Sequence, residues 1–198
     1  MILSDTSEMI LSDSAETANF RDLPGELSHA DQIKRLIRVN HAGEFGAAQI
    51  YRGQLSVLRG TEIEPTLQRM YQQELRKLAS LEELINQRGV RPTILSPVWQ
   101  RAGFALGALT AIMGKRAAMA CTAAVEQVID HQYAEQLERL RPEDQDLSDV
   151  IERRQQEEEG EHEATALKMD AEHSPIYPFL SHVVKAGSRL TTFLSKRF

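Results

Sequence analysis

Four glutamates stand where a helical chain places its core. Glu44 lies seven residues after Ile37 and seven before Tyr51, and Glu74 lies seven after Leu67 and four before Leu78. Glu126 follows Ala123 by three and precedes Tyr133 by seven, while Glu159 lies eight after Ile151 and seven before Ala166. His162 sits three residues beyond Glu159, one turn along the same face. Such spacings keep side chains on one helical face, so each carboxylate falls on an apolar stripe rather than on the wet side. A buried ionised carboxylate is costly unless it is paired or bound to metal. Four of them converging on one core require about four compensating positive charges, a sum that two divalent cations supply. Hard carboxylate oxygens with imidazole suit iron or manganese. A bundle site of this kind takes one Glu from each of two helices and a Glu-x-x-His pair from each of two others. A single Glu-x-x-His is weak evidence, since 20 Glu and 6 His give roughly 0.6 occurrences by chance. Glu26–His29 is read as such an accident. One inward Glu alone would be read as a side chain that snorkels to water; the weight rests on four, on four helices.

The elements that must position these groups are helical almost throughout. Residues 29–59 carry Ile33, Leu36, Ile37, Ala47, Ala48, Tyr51 and Leu55 at three-to-four spacing, with Gly60 as the stop. Residues 65–87 repeat the pattern and stop at Gly89 and Pro92. Residues 117–140, 143–172 and 176–196 form further amphipathic helices, bounded near Pro142 and Pro175. No strand-type alternation competes with them, so the expected fold is all-α, a four-helix bundle with an extra apolar helix and a C-terminal amphipathic one.

Composition narrows the function classes. The chain has 198 residues with 41% hydrophobic and 26% charged, enough apolar content for one globular domain rather than a disordered chain. A net charge of −6 offers no global basic field for nucleic acid. The single cysteine, Cys121, excludes an internal disulfide and thiolate-cluster metal sites, so any metal is held by His and carboxylate. The first twenty residues hold no Lys or Arg, unlike a secretory or transit peptide. They contain the near-repeat MILSDTSE and MILSDSAE, with Met9 an alternative start, and residues 1–28 are expected to be a mobile acidic tail before a helical domain over 29–198.

Between the second and third helices lies PVWQRAGFALGALTAIMGKR, residues 97–116. Its uncharged run Ala102–Gly114 is too short to span a bilayer, which takes about 18–20 residues. With Trp99 and Arg101 at one end and Lys115 and Arg116 at the other, it suits a helix lying in a membrane interface or capping an apolar cavity. The alternative is an ordinary buried core helix.

From about residue 30 onward the chain resembles the demethoxyubiquinone hydroxylase family of ubiquinone biosynthesis. The strings that carry the resemblance are RVNHAGEFGAAQIYRGQ (38–54), RGVRPTILSPVW (88–99), GFALGALTAIMGKRAAMACTAAVE (103–126), EEGEHE (158–163) and KAGSRLTTFLSKRF (185–198). The resemblance implies a ferritin-like bundle with a di-iron centre that hydroxylates a polyprenylated quinol ring with O2 and reductant. It implies Glu44, Glu74, Glu126, Glu159 and His162 as metal ligands, with Glu74 and Glu159 bridging and Glu44 and Glu126 each on one metal. Two irons per chain are expected, with one possible. Peripheral attachment to the cytoplasmic face of a bacterial inner membrane through residues 97–116 is also implied, as are other ubiquinone-biosynthesis proteins or a second copy as partners. No Gly-rich dinucleotide fingerprint follows a strand, so the reductant arrives from outside or binds without that motif.

One position departs from the family. Where its first Glu-x-x-His has the imidazole, this sequence reads QELRKL, with Lys77 three residues after Glu74. Lys77 lies seven after Met70 and four before Leu81, beside the inward stripe. A protonated ammonium has no lone pair and cannot ligate. Two arrangements satisfy the charges: two metals with a water in place of the imidazole, or a metal-poor site in which Lys77 pairs with the acids. The second leaves room for a paralogue that binds quinone or a partner without turnover. A third function, ferritin-like iron oxidation or peroxide reduction, explains the carboxylates but gives segment 97–116 no task. Among lesser candidates, His41 is a ligand-orienting or helix-surface residue. Tyr133 is a cavity phenol or a core tyrosine, Cys121 is a small core residue, and His131, His173 and His182 have no assigned partner.

Overall fold

The computed structural model describes residues 28–138, 140, 147–149, 151–152, 165–166 and 175–195. The chain divides into two units, residues 1–33 and residues 34–198. Five helices are described: α1 His29–Val57, α2 Glu64–Arg88, α3 Ser96–Ile112, α4 Lys115–Leu137 and α5 Tyr177–Ser195. No strand occurs among the described residues. The all-α expectation holds, and the helix bounds shift by a few residues. The expected helix 143–172 lies mostly outside the described residues, though 147–149, 151–152 and 165–166 within it are helical. Glu159, His162, His173 and residues 1–27 lie outside them altogether.

Local chemistry sets the ends. Ser28 accepts a hydrogen bond from Asp31 N–H through its Oγ at 3.2 Å, an N-cap for α1. Pro65 sits in the first turn of α2, where its missing N–H is not needed. At the other end Gly89 takes φ +58, and Val90 N–H bonds Ile85 O at 2.9 Å, the closing bond of a left-handed cap. Gly114, at φ +106, separates α3 from α4.

Within 34–198, α4 is the central helix. Residues 117–126 are buried without a break, because a run of Ala, Met, Cys, Thr and Val presents no wet face and lets neighbours close in from all sides. α1 runs antiparallel to it. The Asn40 and Gln136 amides exchange two hydrogen bonds at 2.9 and 2.7 Å, and about 21 Å further along α1 Gln54 Nε2 donates to Ala118 O at 3.0 Å. α2 folds back along α1, and Arg38 Nε donates to Arg91 O at 2.9 Å just beyond its end. α3 and α5 both pack on α4.

The contact of α1 with α3 is a glycine seam. A Cβ on Gly53 would stand 2.2 Å from Phe104 O, one on Gly103 2.9 Å from Gly46 O, and one on Gly107 2.0 Å from Ile50 O. Backbone meets backbone there, with no room for any side chain. Only Gly107, Thr110 and Ala111 of α3 are buried, while Leu109 and Ile112 are 60% and 69% exposed. Segment 97–116 is therefore not an ordinary core helix. It buries a small-residue stripe and leaves Val98, Phe104, Leu109 and Ile112 exposed. Phe179, Val183, Leu190 and Phe193 of α5 are exposed as well. No described helix is long and apolar enough to cross a membrane.

Candidate metal centre

Three of the sequence-derived carboxylates lie in the interior: Glu44 of α1 at 1% exposure, Glu74 of α2 at 0% and Glu126 of α4 at 4%. Each helix delivers its acid because the apolar residues three, four or seven positions away fix which face turns inward. Leu67, Met70, Leu78 and Leu81 do so for Glu74.

Two phenols tie the centre together across the helix pair. Tyr133 of α4 donates from its Oη to Glu44 Oε1 of α1. Tyr51 of α1 donates to Glu126 Oε1 of α4 at 2.7 Å. The two bonds are reciprocal, because each helix carries Glu and Tyr seven residues apart and the helices run in opposite directions. Burial, followed by the nearby charges of Glu126 and Glu74, pushes the Tyr51 phenol well above its ordinary value. Tyr51 therefore stays a donor at any physiological pH. α1 and α4 thus each supply the other's buried carboxylate with one hydrogen bond.

On α2, Lys77 Nζ donates to Glu74 Oε1 at 2.9 Å, with the lysine side chain 12% exposed and the glutamate 0%. The second oxygens of Glu44 and Glu74 are sealed from solvent. His41, one turn before Glu44, is buried and stacks on Phe45 with ring centroids 6.3 Å apart. Its helix-surface reading is thus replaced by an interior one. Burial lowers its pKa, partly offset by Glu82, whose Oε1 is 4.0 Å from Nε2. Among the described residues no partner reaches its Nδ1. Cys121 is fully buried and its thiol is pushed up to about 12 by that burial, so it is an inert core residue. His131 is exposed beside Glu135 at 3.3 Å, and His182 Nδ1 is 2.7 Å from Pro178 O; neither reaches the centre.

Among the described residues no group of three or more His, Cys, Asp or Glu side chains is placed to hold a metal ion. The donor chemistry nonetheless fits a hard divalent ion. The three buried carboxylates are hard oxygen donors of the kind such an ion takes, and Glu159 and His162, expected from the sequence to add an imidazole, lie outside the described residues.

α1, α3, α4 and α5 line a half-open apolar pocket of about 330 Å³, and none of the three buried carboxylates is among its lining residues. Its walls include Gly43 and Ala47, which flank Glu44, and Val125, which precedes Glu126. Trp99 and Leu106 of α3 and Val184 of α5 close it. Trp99 Nε1–H is buried with no acceptor among the described residues. Sequence reasoning missed the Tyr51–Glu126 bond and the buried Gln54, which donates to Ala118 O and, at 3.3 Å, to Thr122 Oγ1. The repeated Glu-to-Tyr spacing of seven was a visible signal for the phenols; nothing in the sequence marked Gln54.

A family model described as ubiquinone biosynthesis protein COQ7 matches residues 31–195. A Rattus norvegicus protein named NADPH-dependent 3-demethoxyubiquinone 3-hydroxylase, mitochondrial, is 46% identical over 170 residues, covering 84% of this chain and 78% of the relative. A Rhodospirillum rubrum protein named 3-demethoxyubiquinol 3-hydroxylase is 42% identical over 191 residues, covering 96% and 90%. A Saccharomyces cerevisiae protein named 5-demethoxyubiquinone hydroxylase, mitochondrial, is 34% identical over 181 residues, covering 83% and 78%. With so much of its length matched, this chain belongs to the COQ7 family of ubiquinone biosynthesis proteins.

Proposed function

We propose that this protein hydroxylates the ring of a polyprenylated demethoxyubiquinol, using O2, an external reductant and iron held by Glu44, Glu74, Glu126, Glu159 and His162. The observation that carries this reading is an apolar pocket whose walls include the immediate helix neighbours of two buried carboxylates. Iron bound there would supply the O2 chemistry that no side chain of the set can perform alone. The protein's own residues do the rest. Tyr51 and Tyr133 hold Glu126 and Glu44 in place by reciprocal hydrogen bonds. The apolar pocket offers room for a ring bearing a hydrocarbon tail. The Trp99 N–H is a buried donor suited to a ring oxygen.

The outward apolar residues of α3 and α5 suit peripheral attachment to a bilayer, from which a polyprenyl tail enters. For a bacterial chain this surface is the cytoplasmic face of the inner membrane. The rat relative is named NADPH-dependent, and a nicotinamide nucleotide is the reductant proposed here too. A second reading, a metal-poor paralogue that binds quinol without turnover, is favoured by one observation, the Lys77–Glu74 pair.

The test is iron per chain together with oxygen-dependent quinol hydroxylation, measured for the wild type and for Glu126→Ala, Glu159→Ala and His162→Ala. The hydroxylase reading expects iron and product in the wild type and a loss of both in the variants. Iron content unchanged in all three overturns the ligand set, and quinol binding with no product favours the paralogue.

A further inference from the structure

The side-chain hydrogen bonds between α1 and α4 form rungs that repeat. Asn40 meets Gln136, Glu44 meets Tyr133, Tyr51 meets Glu126 and Gln54 meets Thr122. The offset from each α1 member to its α4 counterpart is constant, from 40 to 122, 44 to 126, 51 to 133 and 54 to 136. Each Tyr–Glu bond is therefore flanked by one outer rung. Only the rungs bring the correspondence out, because neither helix by itself singles out its glutamine.

The two outer rungs differ in one residue, and the difference has a chemical consequence. Asn40 and Gln136 are both amides, and they exchange hydrogen bonds with each other. In the other rung the hydroxyl of Thr122 stands where the asparagine amide would be. Ala118 O can only accept, so the atom of Gln54 that faces it at 3.0 Å must be the amide nitrogen. The second hydrogen of that nitrogen goes to Thr122 Oγ1 at 3.3 Å. Gln54 Oε1 is 3.5 Å from the same hydroxyl, longer than O–H···O bonds ordinarily run. The Thr122 proton is given instead to the Tyr51 phenol, whose own O–H goes to Glu126 Oε1 at 2.7 Å.

The line from Gln54 through Thr122 and Tyr51 to Glu126 runs wholly through the interior, with exposures of 0%, 2%, 2% and 4%. Every member but the first receives a hydrogen bond from the one before it, and donors in such a chain polarise one another. A phenol proton rotates about its C–O bond, and a hydroxyl that donates to the oxygen from one side turns that proton to the other. We infer that Thr122, held by Gln54, is a positioning residue for the candidate metal centre: its hydroxyl orients the Tyr51 phenol and thereby the Glu126 carboxylate. The inference deepens the iron-centre reading above and rests on it.

The experiment titrates the full chain, stripped of metal, with ferrous iron in the absence of oxygen. The iron dissociation constant is compared for wild type, Thr122→Val, Thr122→Ser, Tyr51→Phe and the double variant Thr122→Val with Tyr51→Phe. Valine keeps the shape of threonine without the hydroxyl, and serine keeps the hydroxyl without the methyl. Thr122→Val should weaken iron binding about threefold to tenfold, and Thr122→Ser should bind within about twofold of wild type. In the Tyr51→Phe protein, adding Thr122→Val should change the constant by less than about twofold, because no phenol remains to orient. Should Thr122→Val not fold, Thr122→Ala carries the same comparison. Unchanged iron binding in Thr122→Val, or equal weakening by valine and serine, would overturn the inference. So would a loss from Thr122→Val as large in the Tyr51→Phe protein as in the wild type, and each of these results leaves the iron-centre reading standing. A wild type that takes up no iron would overturn the iron-centre reading itself, and this inference with it.

Discussion

Replacing Gly107 by Ala sets two effects of opposite sign against each other. In a helix interior the change relieves the conformational freedom of glycine and stabilises by about 0.8–1.0 kcal/mol. At this position the new Cβ would stand 2.0 Å from Ile50 O, with Ile50 C at 2.8 Å and Cα at 3.0 Å. All three atoms are backbone, so no side chain can rotate aside and α3 must lift from α1. Overpacking of this kind costs about 1–3 kcal/mol, and the short distance to an immovable carbonyl puts it at the upper end. The net expectation is a loss of about 1–2 kcal/mol, which for a chain of this size lowers the melting temperature by about 2–8 °C. Gly43→Ala is the control, because a Cβ there meets nothing within 4 Å. It should raise the melting temperature by about 2–4 °C. Urea denaturation of the three proteins, with unchanged slopes, measures both signs. A Gly107→Ala protein as stable as the wild type would refute the claim that α3 is seated backbone to backbone on α1.

Tyr51→Phe and Tyr133→Phe each remove a hydrogen bond to a buried carboxylate and should each lose about 1.5–3 kcal/mol of stability in metal-free protein. Unchanged denaturation midpoints would show that the reciprocal pair holds nothing. Leu109→Glu with Ile112→Glu places charges on the exposed apolar face of α3 and should reduce partition onto anionic vesicles by about tenfold or more; equal partition would argue that α3 does not meet the bilayer. The lowered pKa of His41 means that the unfolded chain takes up that proton first. Stability should therefore fall as pH drops through the ordinary histidine value of about 6.5. His41→Gln should flatten that slope, and identical pH profiles for the two proteins would remove His41 as its source.

What could be read from the sequence, and what could not, follows from the range of the forces involved. The helices and the inward faces of Glu44, Glu74 and Glu126 are local consequences of apolar spacing, and the structure buries all three. Lys77 was placed beside the inward stripe by the same arithmetic, and it lies there in contact with Glu74. The repeated Glu-to-Tyr spacing of seven was legible, but which carboxylate each of Tyr51 and Tyr133 meets was not, because that depends on α1 and α4 meeting antiparallel in a particular register. The burial of His41 depends on its neighbours across the bundle rather than on its own helix. Segment 97–116 was ambiguous because a small-residue apolar run reads the same whether its large side chains face in or out. The glycine seam assigns the small residues to the contact with α1 and leaves Leu109 and Ile112 exposed. Glu159 and His162 keep only their sequence argument.

The central claim is ring hydroxylation at a carboxylate-held iron, and isotope transfer tests it most directly. Iron-loaded protein, given a short-tailed demethoxyubiquinol, a nicotinamide nucleotide and 18O2, should yield a quinol carrying one labelled oxygen, and the Glu126→Gln protein should yield none. Product without label, or labelled product undiminished in Glu126→Gln, would contradict the account.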